Sequence, residues 1–333
     1  MRVLLLGADG FIGRRVTDRL LVDQELQVTV LGRRDSADIR FDLTTGSPGA
    51  LARFLDAVAP QVVINCAGAT YGSSRTLIRA NTLAVATVCE AIRRSREPAR
   101  LVHVGSAAEY GPVPGGVPVS EAAEPRPVGP YGVSKLAGTE LVLASGLDAA
   151  VLRVFDVVGP GAPTASLFGR LAEGLRRALE RDEPQVRMPD LSGYRDFVDV
   201  RDVARAIRAA AVSAATGVIN IGSGHAVRAR EAAQLLVRAS GFEGAIVEEN
   251  RQVVLPAQAA GSADHLVPHP GQHHLPGHRP AEPRPAEARM APGEPVPWRQ
   301  ADVRTARDRL GWRTQVPLEE SLGDVWLETA CRV

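Results

Sequence analysis

Short apolar runs alternate with longer amphipathic stretches through the first half of the chain. Val3–Leu6, Gln27–Leu31, Val62–Asn65, Leu101–Gly105 and Ala149–Phe155 are brief runs rich in Val, Leu and Ile, and they predict strands. Between them, Phe11–Leu21, Leu51–Ala57, Leu77–Arg94 and Tyr131–Ala144 repeat apolar positions at helical spacing. Strands that are apolar on both faces and alternate with helices predict an α/β fold, a doubly wound parallel sheet with helices on each side. After Phe155 the pattern loosens. Leu167–Glu180, Val203–Ala211 and Arg230–Ala239 predict helices, and Val218–Ile221 a strand. Residues 1–155 therefore read as one domain to which 197–222 return, with 156–196 and 223–333 forming a smaller interleaved lobe.

Residues 252–297 differ in kind. They hold ten of the 24 prolines and five of the seven histidines, with almost no apolar periodicity. Such a stretch cannot repay its ordering entropy through burial and reads as a mobile loop. His265, His269, His273, His274 and His278 are unaccompanied by cysteine or a carboxylate framework, so no metal site is expected. Beyond it, Ala301–Leu310 followed by Gly311 predicts a helix with a glycine stop.

Composition narrows the function classes. A net charge of +1 and 4% aromatic residues supply neither the basic field nor the stacking surface that nucleic-acid binding needs. The apolar start breaks at Gly7, too early for a secretory signal, and nothing later has the length of a membrane span. Cys66, Cys89 and Cys331 are too far apart for a disulfide framework, which points to a reducing cytoplasm.

Gly7-Ala8-Asp9-Gly10-Phe11-Ile12-Gly13 joins the first strand to the first helix. Glycine there lets a pyrophosphate approach the helix N-terminus, where free N–H groups and the helix dipole hold it. Acidic residues at the end of the second strand usually select NAD by accepting ribose hydroxyls. Here the strand ends in Arg33 and Arg34, Arg14 follows the glycine turn, and Asp35 comes slightly too late. Arginines suit the 2′-phosphate of NADP, the cofactor expected over NAD, although a solvated surface cluster reads the same way. Asp42 and Leu43 are candidates to flank the adenine, and Cys66, Ala67 and Gly68 end a strand where the cofactor should cross.

Tyr131 and Lys135 stand four residues apart on one helix face. A phenol titrates near 10, and an adjacent ammonium lowers that value by stabilising the phenolate. Alone, the spacing marks a surface pair more often than a site. Ser106, at the end of the strand Leu101–Gly105, adds a hydroxyl able to bond a substrate oxygen as charge develops.

Together Gly7–Gly13, Asp42, Asn65–Gly68, Ser106–Gly111, Tyr131–Lys135 and Arg195-Asp196-Phe197 resemble the extended short-chain dehydrogenase/reductases, the NAD-dependent epimerase/dehydratase family. The likeness is strongest to GDP-4-keto-6-deoxymannose reductases and related sugar-nucleotide enzymes. The resemblance implies a Rossmann-type domain with a substrate lobe and a catalytic set of Ser106, Tyr131 and Lys135. It also implies Asn81 as a proton-relay or structural member, and a homodimer through the helices near Leu77–Arg94 and Tyr131–Ala144. The family's 4,6-dehydratases carry acids at the positions of Ala107 and Ala108, so a dehydratase is not expected. Glu109 follows, where strand alternation points it elsewhere.

The expected activity is an NADPH-dependent reduction of a keto group, on a nucleotide-linked 4-keto-6-deoxy sugar. Asp156 weakens the nucleotide reading, because an ionised carboxylate repels a diphosphate. Arg195 stands where the resemblance implies a phosphate contact, with an ion pair to Asp196 or Asp199 as the equal alternative. Arg170 and Arg176 are further candidates to add charge. A secondary-metabolite ketoreductase, an NAD-dependent epimerase and a non-catalytic dinucleotide sensor remain the rival classes.

Overall fold

The computed structural model describes residues 1–249 and 297–332. Apart from Pro297, the proline- and histidine-rich stretch, with His265, His269, His273, His274 and His278, lies outside the described residues.

The chain begins with β1 (Arg2–Leu6), α1 (Phe11–Leu21), β2 (Gln27–Gly32), β3 (Ile39–Arg40), α2 (Pro48–Val58) and β4 (Val62–Asn65). The helix expected from Leu51 starts three residues earlier, because Ser47 caps it by accepting the Ala50 N–H at 3.2 Å and Pro48 suits its first turn. The single helix expected over Leu77–Arg94 is broken into α3 (Ser74–Ile78), a π-helical turn at Arg79–Leu83 and α4 (Ala84–Arg94). There follow β5 (Arg100–Ser106), a 3₁₀ turn at Ala107–Glu109, α5 (Gly129–Leu143), β6 (Ala149–Val154) and β7 (Asp156–Val158).

Next come α6 (Leu167–Arg181), β8 (Gln185–Met188), β9 (Tyr194–Asp199), α7 (Val200–Ala211) and β10 (Gly217–Ile221). The remainder is β11 (Ala226–Arg228), α8 (Ala229–Ser240), β12 (Ala245–Glu248), α9 (Arg304–Leu310) and α10 (Leu318–Ala330). Gly311, at φ +61°, ends α9 as its left-handed cap. Ala301 lies outside that helix, in a bridge to Val119.

Seven parallel strands form the large sheet in the order β3-β2-β1-β4-β5-β6-β10. The direction of winding reverses at β1, so a crevice opens at the carboxyl ends of β1 and β4. Alternation along each strand divides the core. Val3, Leu5, Ile64 and Val104 face α1, α7 and α9, whereas Leu4, Leu6, Val63 and Leu101 face α2 and α4.

A second core gathers α6, α8 and α10 around β7–β9, with a three-stranded sheet (β11-β9-β7) and a pair (β12-β8). Residues 197–199 belong to β9 in this smaller sheet, so the return to the large sheet begins at Val200 and not at residue 197. Ala306 and Trp312 also pack into the large-sheet core against α7, although the hydrophobic pattern assigns 223–333 to the lobe. The Trp312 indole donates to the Asp202 carbonyl at 2.9 Å, a bond between segments no local pattern connects.

Candidate active site

A cleft of about 600 Å³ runs over the carboxyl ends of the strands and faces the smaller lobe. Among the predicted residues, it is lined by Gly10, Phe11, Ile12, Cys66, Ala67, Gly68, Asn81, Ser106, Ala107, Ala108, Tyr131, Lys135, Asp156 and Arg195.

At one end lies the glycine turn. Gly7 has φ +80°, and a Cβ there would stand 2.6 Å from the Ala67 nitrogen. A Cβ at Gly13 would stand 2.0 Å from the Gly7 carbonyl oxygen, so Gly13 sets how closely α1 approaches β1. Gly10 caps α1 without any side-chain bond, and only the Gly7 oxygen, at 3.3 Å, is near its missing Cβ. An uncapped N-terminus approached through glycine fits a phosphate group.

Asp9, Arg14, Arg33, Arg34, Asp42 and Leu43 stand outside the main cleft. Asp9 accepts from the Ser36 hydroxyl at 3.4 Å and pairs with Arg34 at 3.8 Å, so a carboxylate sits beside the arginine cluster. The Arg14 guanidinium donates to the Asp9 carbonyl at 3.1 Å. Arg33 is exposed. Burial raises the pKa of Asp42, but bonds from Thr44 (2.8 and 2.7 Å) and the charge of Arg33 outweigh it and hold the carboxyl below its usual range. Leu43 is buried in the core on the α2 side of the sheet.

At the centre, Ser106 ends β5 and its hydroxyl accepts the Ala108 N–H at 3.2 Å. Ser106 and Tyr131 both line the centre of the cleft. The Lys135 ammonium donates to the Val104 carbonyl at 2.6 Å. Burial pushes the Tyr131 pKa above its ordinary value, which the nearby Ser106 hydroxyl only partly offsets while Glu109, Asp156 and Tyr71 add to the rise. The phenol is therefore held protonated, contrary to the lowering expected from Lys135, because desolvation is the larger effect. Burial lowers the Lys135 pKa, against the opposing charge of Glu109.

Asn81 sits in the π-helical turn. Its amide accepts from Ala69 N–H and donates to Ala69 C=O, each at 2.8 Å, and donates to the Ser134 hydroxyl at 3.0 Å. It thereby ties the loop after β4 to the helix that carries Tyr131. Asn65 accepts the Ala67 N–H at 3.0 Å and meets His103 Nδ1 at 3.2 Å. Burial, followed by the Lys135 charge, holds the His103 pKa well below its usual value.

At the far end Asp156 is flanked by two arginines, Arg195 at 3.2 Å and Arg299 at 3.5 Å. This corrects the ion pair expected between Arg195 and Asp196 or Asp199. Asp196 and Asp199 do not bind Arg195, because Ser223, Gly224 and Ala301 occupy the first and Arg201 and Ser321 the second. The Asp156 charge is outnumbered by two guanidinium groups rather than free to repel an anion. Arg170 is exposed outside the cleft, and Arg176 is held by Glu173 at 2.7 Å and by Glu180.

Glu109 also differs from expectation. It lies on a 3₁₀ turn, not a strand, and turns inward to full burial against Arg153. Arg299, Tyr71 and the aromatic wall of Phe155, Phe168 and Phe197 line the cleft without any signal in local spacing, since chain topology alone assembles them.

Sheet order, glycine turn and the Ser106–Tyr131–Lys135 constellation define a dinucleotide-fold α/β protein of the extended short-chain dehydrogenase/reductase type. Residues 3–222 match the NAD dependent epimerase/dehydratase family, and the chain belongs to that family. It is 34% identical to a dTDP-6-deoxy-L-talose 4-dehydrogenase (NAD(P)(+)) of Kitasatospora kifunensis, over 98% of this chain and 94% of the relative. A GDP-6-deoxy-D-mannose reductase of Pseudomonas aeruginosa is 28% identical over 74% of this chain and 83% of its own. Among solved structures, MoeE5 in complex with UDP-glucuronic acid and NAD superposes with a TM-score of 0.76 at 28% identity, covering 99% of both chains. The structure of RMD from Pseudomonas aeruginosa complexed with NADPH shares the fold at a TM-score of 0.76 and 22% identity, again over 99% of both chains.

Proposed function

We propose that the protein is an NADPH-dependent ketoreductase acting on a nucleotide-linked 4-keto-6-deoxy sugar. The observation that carries this reading is one cleft with a Ser–Tyr–Lys set at its centre and the Arg195–Asp156–Arg299 cluster at its far end. The first suits a carbonyl and the second a diphosphate. The relatives support the same class. Oxidation at C4 in the talose dehydrogenase is the reverse of a 4-keto reduction, and MoeE5 binds a nucleotide sugar with a dinucleotide.

A nicotinamide dinucleotide fits the residues present. The Gly7–Gly13 turn would take its pyrophosphate, with Phe11, Ile12, Cys66, Ala67 and Gly68 lining its path. Arg14, Arg33 and Arg34 would meet a 2′-phosphate. When bound, it supplies the hydride for carbonyl reduction. The Ser106 hydroxyl polarises the substrate oxygen, and Tyr131 donates its proton there. The Lys135 ammonium stabilises the phenolate that remains. Ala107 and Ala108 offer no acid for elimination, and Glu109 is sequestered by Arg153. A phenol held protonated by burial has the proton that carbonyl reduction requires.

We place the enzyme in the cytoplasm as a homodimer. Leu83, Val133 and Leu141 expose 54%, 51% and 37% of their surface on the helices expected to pair, which would cover apolar area. No helix among the described residues is long and apolar enough to cross a membrane.

The test titrates the purified protein with NADPH and NADH, with and without dTDP- or GDP-linked sugars. NADPH should bind tighter, and each Arg195→Ala and Arg299→Ala variant should lose about tenfold or more in nucleotide affinity. Cofactor binding indifferent to every nucleotide would transfer the assignment to a non-nucleotide ketone. Formation of a C4 epimer without net NADPH consumption would make the enzyme an epimerase instead.

A further inference from the structure

Beneath the reacting groups lies a buried ion pair that the reduction does not consume. The Glu109 side chain is fully buried, and that of Arg153 is 3% exposed. One carboxylate oxygen accepts the Ser106 backbone N–H at 2.7 Å, and the other accepts Arg153 Nε at 2.7 Å. The chain makes room for this acid. A Cβ on Gly105 would stand 2.9 Å from the carboxylate oxygen. On its far side the Arg153 guanidinium lies 4.6 Å over the Tyr110 ring, and the Tyr110 hydroxyl donates to Asn220 at 2.7 Å.

A buried pair of this kind is a poor source of stability, because desolving two charges offsets most of their attraction. Its position supplies another role. We propose that Glu109 is a positioning residue of this site: it fixes the strand end that carries Ser106 and, with Arg153, sets the field in which Tyr131 gives up its proton beside the Lys135 ammonium. This rests on the ketoreductase reading only for its effect on turnover.

Several charged and titratable groups share that field. The Tyr131 pKa is influenced by Ser106, Glu109, Asp156 and Tyr71, that of Lys135 by Glu109 and Cys66, and the Lys135 charge in turn acts on His103. Glu109 raises the pKa of both Tyr131 and Lys135, though burial dominates each. Removing its charge therefore moves both downward. The phenol is lost as a proton donor at lower pH, so the basic limb of the reduction moves to lower pH.

The experiment titrates Tyr131 by tyrosinate absorbance in the full chain, using Tyr131→Phe as the blank, for wild type, Glu109→Gln and Glu109→Asp. E109Q should lower the Tyr131 midpoint by about half a pH unit or more, and E109D, which keeps the charge, should leave it in place. E109D withdraws the carboxylate by one methylene from the Ser106 N–H, so its kcat should fall about tenfold. A folded E109Q with an unmoved midpoint overturns the inference. Should E109Q fail to fold, E109D decides, and a wild-type kcat in that variant overturns it. The titration needs no substrate, so it stands even if the assigned ketone is wrong.

Discussion

At the scale of single residues, cofactor choice turns on opposed charges. Asp9 projects from the glycine turn to Ser36 and Arg34, close to where a ribose acceptor would be wanted. With the dinucleotide on the Gly7–Gly13 turn as proposed, Asp9 would compete with Arg33 and Arg34 for the adenosine ribose. A ribose hydroxyl can bond that carboxylate, whereas a 2′-phosphate must outcompete it for the arginines. Arg33→Ala should then weaken NADPH by about tenfold while sparing NADH, and Asp9→Asn should favour NADPH further. Dissociation constants measured for both cofactors check this, and equal changes for the two would remove the 2′-phosphate argument. Ser106, Tyr131 and Lys135 were legible in the sequence because their spacing lies within one turn or beside one strand end. Asp9 was legible as part of the glycine turn, but its reach to Arg34 was not, since that depends on how the loop after β2 folds back.

At the scale of elements, glycines set how closely α5 approaches its neighbours. A Cβ on Gly138 would stand 2.3 Å from the Asn81 carbonyl oxygen, and one on Gly132 would stand 2.6 Å from that of Ala108. The contact coincides with the π-helical turn, where the Ala84 N–H bonds the Arg79 carbonyl five residues back. The extra residue in that turn carries Asn81 into its bonds with Ala69 and Ser134. Gly138→Ala must push α5 from the turn, at a cost of about 1–3 kcal/mol, and should lower kcat by displacing Lys135. A urea midpoint together with turnover tests it; unchanged values for both would mean the helices shift without strain. The apolar period over Leu77–Arg94 continues through the break, so it showed a helix without the bulge. The strands β8, β9, β11 and β12 were illegible for a related reason. They are short and paired in small sheets; β8 and β9 are half polar, β11 has only three residues, and β12 is only partly buried where β4, with an apolar run of the same length, is fully buried.

Across the whole molecule, Asp196 joins three distant segments. Its buried carboxylate accepts from Ser223 N–H at 2.6 Å, Ser223 hydroxyl at 2.7 Å, and Gly224 and Ala301 N–H at 2.9 Å. Burial raises its pKa to about 6 despite these donors, so it is ionised at neutral pH and its lone pairs are available to all four. The residue before it is Arg195, and two residues before Ala301 is Arg299. The latch thus brings the second guanidinium to Asp156 from a segment more than a hundred residues away in the chain, which is why no motif announced it. Gly222 belongs to the same junction, since a Cβ there would stand 2.6 Å from the Ala301 methyl carbon. Asp196→Asn keeps the shape but offers a single acceptor oxygen and turns an amide N–H toward the donors. At neutral pH it should cost about 1–3 kcal/mol of stability. Because Arg299 loses its anchor while Ser106, Tyr131 and Lys135 keep theirs, KM for the nucleotide sugar should rise about tenfold with kcat little changed. Equal losses in kcat and kcat/KM would show instead that the latch supports the catalytic end of the cleft, and the two ends would have to be treated as one coupled unit.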